Sequence, residues 1–131
     1  MRNPALYIAP SDLGGKGVFT GVPIKKNDLI EICPCIVLKE GEMEVLDKTT
    51  LYDYYFLWGD DQKQCALALG FGSLYNHFCP SNADYFMDFE EQILEIYAVE
   101  DIEPGEEICI NYHGDPKNPE PTWFMTDGRD R

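Results

Sequence analysis

A mostly β fold, made of several small curved sheets with short helical turns, is predicted by three features of the sequence. Its apolar runs are short and β-branched. Turn residues interrupt them every few positions. Helical periodicity surfaces only once, around residues 51–58. The chain has 131 residues, and one domain over 1–131 is the expectation for that length. Its 44% apolar and 13% aromatic content is that of a globular core rather than a disordered segment.

The elements follow in order. Leu6–Ala9 and Gly17–Thr20 flank Ser11-Asp12-Leu13-Gly14-Gly15-Lys16, which reads as strand, glycine turn, strand. Leu29–Leu38 (LIEICPCIVL) is the strongest strand of the first half, and Pro34, with no N–H to give a ladder, predicts an edge position, a bulge or a break. Ile24–Ile30 and Ile102–Ile108 echo each other, each entering a strand through a turn with Asn27 or Gly105 where a positive φ is needed. Lys39–Lys48 is charged and predicts a surface loop. Thr49 or Thr50 is placed to cap a short helix carrying Leu51, Tyr54, Tyr55 and Trp58. Gly59–Gln62 predicts a hairpin loop between Tyr55–Trp58 and Gln64–Leu69. Gly70–Ser73 predicts a corner with one helical turn. Asp84–Asp88 and Ile93–Val99 predict a second hairpin, and Glu107–Asn111 the last strand.

Composition narrows the function. The net charge of −14 disfavours direct binding to nucleic acid and favours a basic partner. No run of eighteen apolar residues predicts a membrane helix, and Met1-Arg2-Asn3-Pro4 does not begin a signal peptide. An intracellular protein is expected, cytoplasmic if bacterial and nuclear if eukaryotic or viral. Five cysteines, an odd number without a secretion signal, predict reduced thiols. Cys33-Pro34-Cys35 has the wrong spacing for a zinc knuckle, so no metal site is expected and both side chains should pack on one face of a strand.

Three short segments carry groups suited to binding and polarising a ligand. They are Gly15-Lys16-Gly17-Val18-Phe19, Asn76-His77-Phe78-Cys79-Pro80-Ser81-Asn82, and Gly105-Glu106-Glu107-Ile108-Cys109-Ile110-Asn111-Tyr112. Glycines let backbone approach a ligand closely, an Asn amide both donates and accepts, and a tyrosine offers an apolar ring with a polar tip. Together they resemble the three signature blocks of the SET-domain protein-lysine methyltransferases. The resemblance runs from Leu6 to Tyr112, a core of about 6–112, and is to minimal members of viral and bacterial type that lack a zinc-binding flanking module. Two positions depart from the family block: Phe78 stands for a small Ser, and Ser81 for Pro, with Pro80 one place earlier.

The resemblance implies a SET fold in which the Asn76 and Tyr112 segments thread together in a knot-like crossing. It implies S-adenosyl-L-methionine as cofactor and transfer of methyl groups to lysines of a basic protein, histone, histone-like or ribosomal. Tyr112 takes the catalytic place, orienting methyl and amine. Tyr54 is the channel tyrosine, with Tyr52 as the alternative. Gly15, Lys16, Gly17, Asn76 and His77 are the expected cofactor contacts, together with Tyr112. Trp123 and Phe124, in the tail 113–131, are the candidates to cover the adenine and complete the site. Ile110 stands where many relatives carry the aromatic that limits methyl number. The chemistry asks for such a channel: roughly one lysine amine in 2,500 is neutral at pH 7, and desolvation by aromatic walls favours the neutral form. A homodimer that finishes the substrate groove is a further expectation. The competing account is a non-catalytic SET-like module that binds basic proteins.

Overall fold

The computed structural model describes residues 1–119, and within it the short predicted strands pair into two sheets. The first holds β1 (Leu6–Pro10), β2 (Lys16–Thr20), β9 (Glu107–Ile110) and β6 (Asn76–His77), in the order β1-β2-β9-β6. The second has the order β4-β5-β3-β8-β7, from β3 (Leu29–Val37), β4 (Phe56–Trp58), β5 (Gln64–Ala68), β7 (Ala83–Asp88) and β8 (Ile93–Ala98). All pairs are antiparallel except β6 with β9. Parallel neighbours need a long crossover between them. Here the crossover is the β7–β8 hairpin and the turn after it, so the middle and the end of the chain meet side by side.

Local chemistry accounts for the joints. The β1–β2 turn closes with Ser11 N–H donating to Gly15 O (2.9 Å) and Gly14 N–H to Ser11 O (3.2 Å). The two echo segments pair with each other: Ile24 and Ile102 exchange both N–H···O bonds at 2.8 Å, and Asn27 (φ 76°) and Gly105 (φ 87°) take the expected left-handed turn positions. Val18, Ile30, Leu94, Ile96, Ile102, Ile108 and Ile110 are fully buried and join the two sheets in one core. Each such side chain contributes about 1.5–3 kcal/mol.

Three sequence expectations are corrected. Pro34 is not on an edge strand: β3 lies between β5 and β8, and Pro34 sits where it leaves β8 (Pro34 opposite Ile93) and takes up β5 (Cys35 opposite Ala68). The missing N–H falls at the change of partner, where no ladder bond is lost. The segment 39–48 is not all loop, for Glu42–Leu46 forms the short helix α1, acidic in its first turn and with no buried residue. The helix over 51–58 shrinks to a 3₁₀ turn, Thr50–Asp53, capped by the Thr49 hydroxyl accepting from Leu51 N–H (3.2 Å). Trp58 belongs to β4, where pairing with β5 outweighs helical spacing.

β3 also carries a bulge between Leu29 and Glu31, which turns two successive residues, Ile30 and Glu31, into the interior. Cys33 is buried and Cys35 half-buried in the same strand. All five cysteines are free thiols.

Candidate active site

The two N–H···O-rich segments expected to meet do so through named bonds. Phe78 N–H donates to Ile110 O (3.1 Å), Ser81 N–H to Pro116 O (3.0 Å), and Cys109 N–H to the Asn82 Oδ1 (2.8 Å). The Asn82 amide returns a bond to Glu107 O (2.9 Å). The chain leaving β9 is thus strapped across the Asn76–Asn82 segment.

Tyr112 lies just beyond β9. Its N–H donates to His77 Nδ1 (3.0 Å) and its hydroxyl to Tyr75 O (2.8 Å), with the His77 and Tyr112 rings 5.2 Å apart. An Nδ1 that accepts carries no proton, so the neutral His77 ring holds its proton on Nε2. Tyr112 lines a cavity of about 470 Å³ whose walls include Tyr52, Tyr54, Tyr55, Phe56, Tyr75 and Tyr85, with Asp53 and His113. Tyr55 donates to Asp47 (2.6 Å), Phe56 packs edge-on to Tyr85, and the Tyr85 hydroxyl reaches Tyr112 O (3.4 Å). Burial, and then the charge of Asp84, pushes the Tyr85 phenol up to about 12. Burial also raises Tyr55, with Asp47 adding to it. These rings stay protonated and neutral at working pH.

A second cavity, about 240 Å³, is lined by Gly15, Lys16, Tyr54, Leu74 and Asn76. Tyr54 is a wall of both. Asn76 is almost wholly buried, and its amide nitrogen donates to Lys16 O (3.0 Å) and to the Glu107 Oε2 (2.8 Å). Two acceptors on one nitrogen fix the orientation of the amide. Glu107 in turn accepts from the Ser11 hydroxyl (2.5 Å). Gly17 is required where it stands, because a Cβ there would come within 2.2 Å of that carboxylate and 2.9 Å of the Asn76 nitrogen.

Residues 15–113 match the SET domain family model. The chain belongs to the SET-domain family of protein-lysine methyltransferases. Over 113 residues it is 33% identical to a Schizosaccharomyces pombe histone-lysine N-methyltransferase, H3 lysine-37 specific, covering 86% of this chain and 75% of that protein. It also resembles a crystal structure from Plasmodium falciparum described as a histone methyltransferase, at 34% identity and a TM-score of 0.64, over 82% of this chain and 96% of that one. The Chaetomium thermophilum polycomb repressive complex 2 shares the fold, with a TM-score of 0.66 at 20% identity, over 82% of this chain and 15% of that chain.

Within this SET domain the expected residues fall into three groups. Tyr112, Tyr54 and Tyr52 share the aromatic cavity, while Gly15, Lys16 and Asn76 share the smaller one. Gly17 packs behind the smaller cavity against Glu107 and Asn76. His77 is buried against the backbone of Tyr112 and is not among the residues lining either cavity. Ile110 is fully buried in the core, outside both linings. Trp123 and Phe124 lie outside the described residues. Sequence reasoning missed Tyr75, Tyr85, Glu107 and Glu31. Tyr75 adjoins Asn76 and Glu107 sits in the third block, so proximity to the motifs was a usable signal for both. Nothing local marks Tyr85 or Glu31, which reach the site only through pairing of β7 and β3 with β8. Among the described residues no helix is long and apolar enough to cross a membrane, and no group of three or more His, Cys, Asp or Glu could hold a metal.

Proposed function

We propose that this SET domain transfers methyl groups from S-adenosyl-L-methionine to lysine side chains of a basic, histone-like protein in an intracellular compartment. The observation that carries this reading is the pair of cavities that share Tyr54, the smaller lined by Lys16 and Asn76 among others, the larger aromatic and lined by Tyr112. The smaller cavity has donors and acceptors that suit the amino-acid end of the cofactor. The Lys16 ammonium matches its carboxylate, and the Asn76 Oδ1 matches its ammonium. When bound there, the cofactor supplies an activated methyl on a sulfonium.

The protein's own groups do the rest. Aromatic walls desolvate an entering lysine and shift its ammonium toward the neutral amine. The Tyr112 hydroxyl gives its hydrogen to Tyr75 O, so toward the substrate its oxygen acts as an acceptor. That oxygen can accept from the lysine N–H and hold the amine in line. His77 fixes the backbone from which Tyr112 projects. Twenty-four acidic residues against ten basic ones draw a basic substrate, an attraction that salt weakens. A homodimer completing the substrate groove belongs to the same proposal, tested by sedimentation over a range of concentrations.

Radiolabelled cofactor offered with a panel of histones and ribosomal proteins tests the reading. Label should enter lysine, and Tyr112→Phe should lower the rate by about 10²–10³-fold while cofactor affinity by calorimetry stays within about threefold. Salt-sensitive protein binding with no cofactor heat and no transfer would instead support the non-catalytic binding module.

A further inference from the structure

The interior holds one carboxylate that the proposed mechanism does not use. Glu31 is only 2% exposed, turned inward by the bulge in β3. Its Oε1 accepts from the Tyr75 hydroxyl (2.8 Å) and its Oε2 from Phe71 N–H (3.1 Å). The Arg2 guanidinium lies 3.8 Å from Oε2 and stacks 3.8 Å above the Phe71 ring. Gly70 leaves room for this arrangement, since a Cβ there would meet the Glu31 Oε2 at 2.3 Å. A buried charge is costly to keep without partners, and here both oxygens and an arginine are engaged.

The partner that matters is Tyr75. Its ring is held by Glu31, and its carbonyl is the acceptor of the Tyr112 hydroxyl. The same peptide unit begins β6, where Asn76 lines the smaller cavity. One peptide plane therefore faces both halves of the site. We propose that Glu31, acting through Tyr75, is a positioning residue that sets the direction of the Tyr112 hydroxyl. This rests on the reading of Tyr112 as the catalytic tyrosine.

The mechanism is mechanical. Tyr75 follows the 3₁₀ turn Gly72–Leu74, in an extended conformation (φ −68°, ψ 123°), where the backbone has no helix to stiffen it. Anchoring the ring hydroxyl on an immobile carboxylate restrains the side-chain torsions and, through Cα, the tilt of the carbonyl. Burial raises the Tyr75 phenol, and the nearby Glu31 charge raises it further, so the ring remains a donor at every working pH.

Two readouts test the proposal, one of them independent of turnover. Tyrosine labelled with carbon-13 at the ζ position gives a Tyr112 signal, assigned by its loss in Tyr112→Phe. Tyr75→Phe, which keeps the ring, and Glu31→Gln should both move that signal. A Tyr112 resonance unchanged in both variants, at native melting temperature, overturns the proposal. The second readout is a cycle on transfer from radiolabelled S-adenosyl-L-methionine to mixed core histones. Tyr75→Phe should lower kcat by about tenfold with cofactor KM within about twofold, yet cost nothing further in a Tyr112→Phe background. A merely structural role predicts the same loss in both backgrounds, and that result would also overturn it. If Tyr112→Phe transfers methyl at the parent rate, the catalytic reading of Tyr112 fails on its own. The carbon-13 shift then still decides whether Glu31 and Tyr75 hold the hydroxyl.

Discussion

Gly17→Ala is the substitution whose cost can be worked most directly from the structure. An added Cβ would stand 2.2 Å from the Glu107 Oε2, 2.8 Å from its Cδ and 2.9 Å from the Asn76 amide nitrogen. Carbon needs about 3.5 Å from such neighbours, so the carboxylate must retreat by on the order of 1 Å. A loose glutamate could do this at little cost, but this one is held by Ser11 at 2.5 Å and by Asn76 at 2.8 Å. Bonds to a charged group are worth about 1.5–3 kcal/mol each when buried, and partial exposure here argues for the low end, so weakening both predicts a loss of about 2–4 kcal/mol. With a urea slope of about 1–3 kcal/mol/M, the unfolding midpoint should fall by on the order of 1–2 M. Affinity for S-adenosyl-L-methionine should drop along with it, because Asn76 and Lys16 line the cavity and both are tied to this cluster. The double variant Gly17→Ala/Glu107→Ala supplies the control: with the carboxylate gone, the alanine at 17 should add less than about 0.5 kcal/mol. Full additivity of the two losses, or a Gly17→Ala midpoint equal to the parent's, would refute the reasoning.

Two further outcomes follow from burial of titratable groups. Burial raises the Asp84 carboxyl above its ordinary value, outweighing the bonds from Tyr85 N–H and the Tyr97 hydroxyl that lower it. The folded state then binds that proton more tightly than the unfolded state, so stability is lost as pH rises from about 4 upward. Asp84→Asn should raise the melting temperature at pH 7 and do so less at pH 3; a larger gain at the lower pH would contradict the sign. Burial likewise raises the thiols of Cys33, Cys65 and Cys109, and pushes Cys35 up to about 11. These four should label slowly with iodoacetamide at pH 8 in the native protein and quickly in urea, as read by peptide mass spectrometry; rapid native labelling of Cys33 would show the β3 core to be open.

Much of this architecture was legible because its punctuation is local. Glycine turns marked the β1–β2 and β4–β5 hairpins, and the resemblance to signature blocks singled out Gly15, Lys16, Asn76 and Tyr112, which the fold brings to the two cavities. What stayed hidden depends on pairing. Pro34 read as an edge, a bulge or a break, and a single strand does not reveal which, because the exchange of one partner for another at that residue is set by pairing. Nothing in the Leu29–Leu38 run marks Glu31, which a one-residue bulge turns inward beside Ile30. The bond from Tyr112 N–H to the His77 ring joins residues 35 positions apart. Such bonds between distant residues leave no periodic trace in the sequence.

The order β1-β2-β9-β6 has a consequence for biosynthesis. The strand that leads to Tyr112 fills the gap between a hairpin made early and a short strand made midway through translation. A nascent chain halted before Glu107 would own the residues that line the smaller cavity yet lack the strand that joins them. Competence to act should therefore arrive abruptly, with emergence of β9 from the ribosome, rather than grow as each hairpin forms.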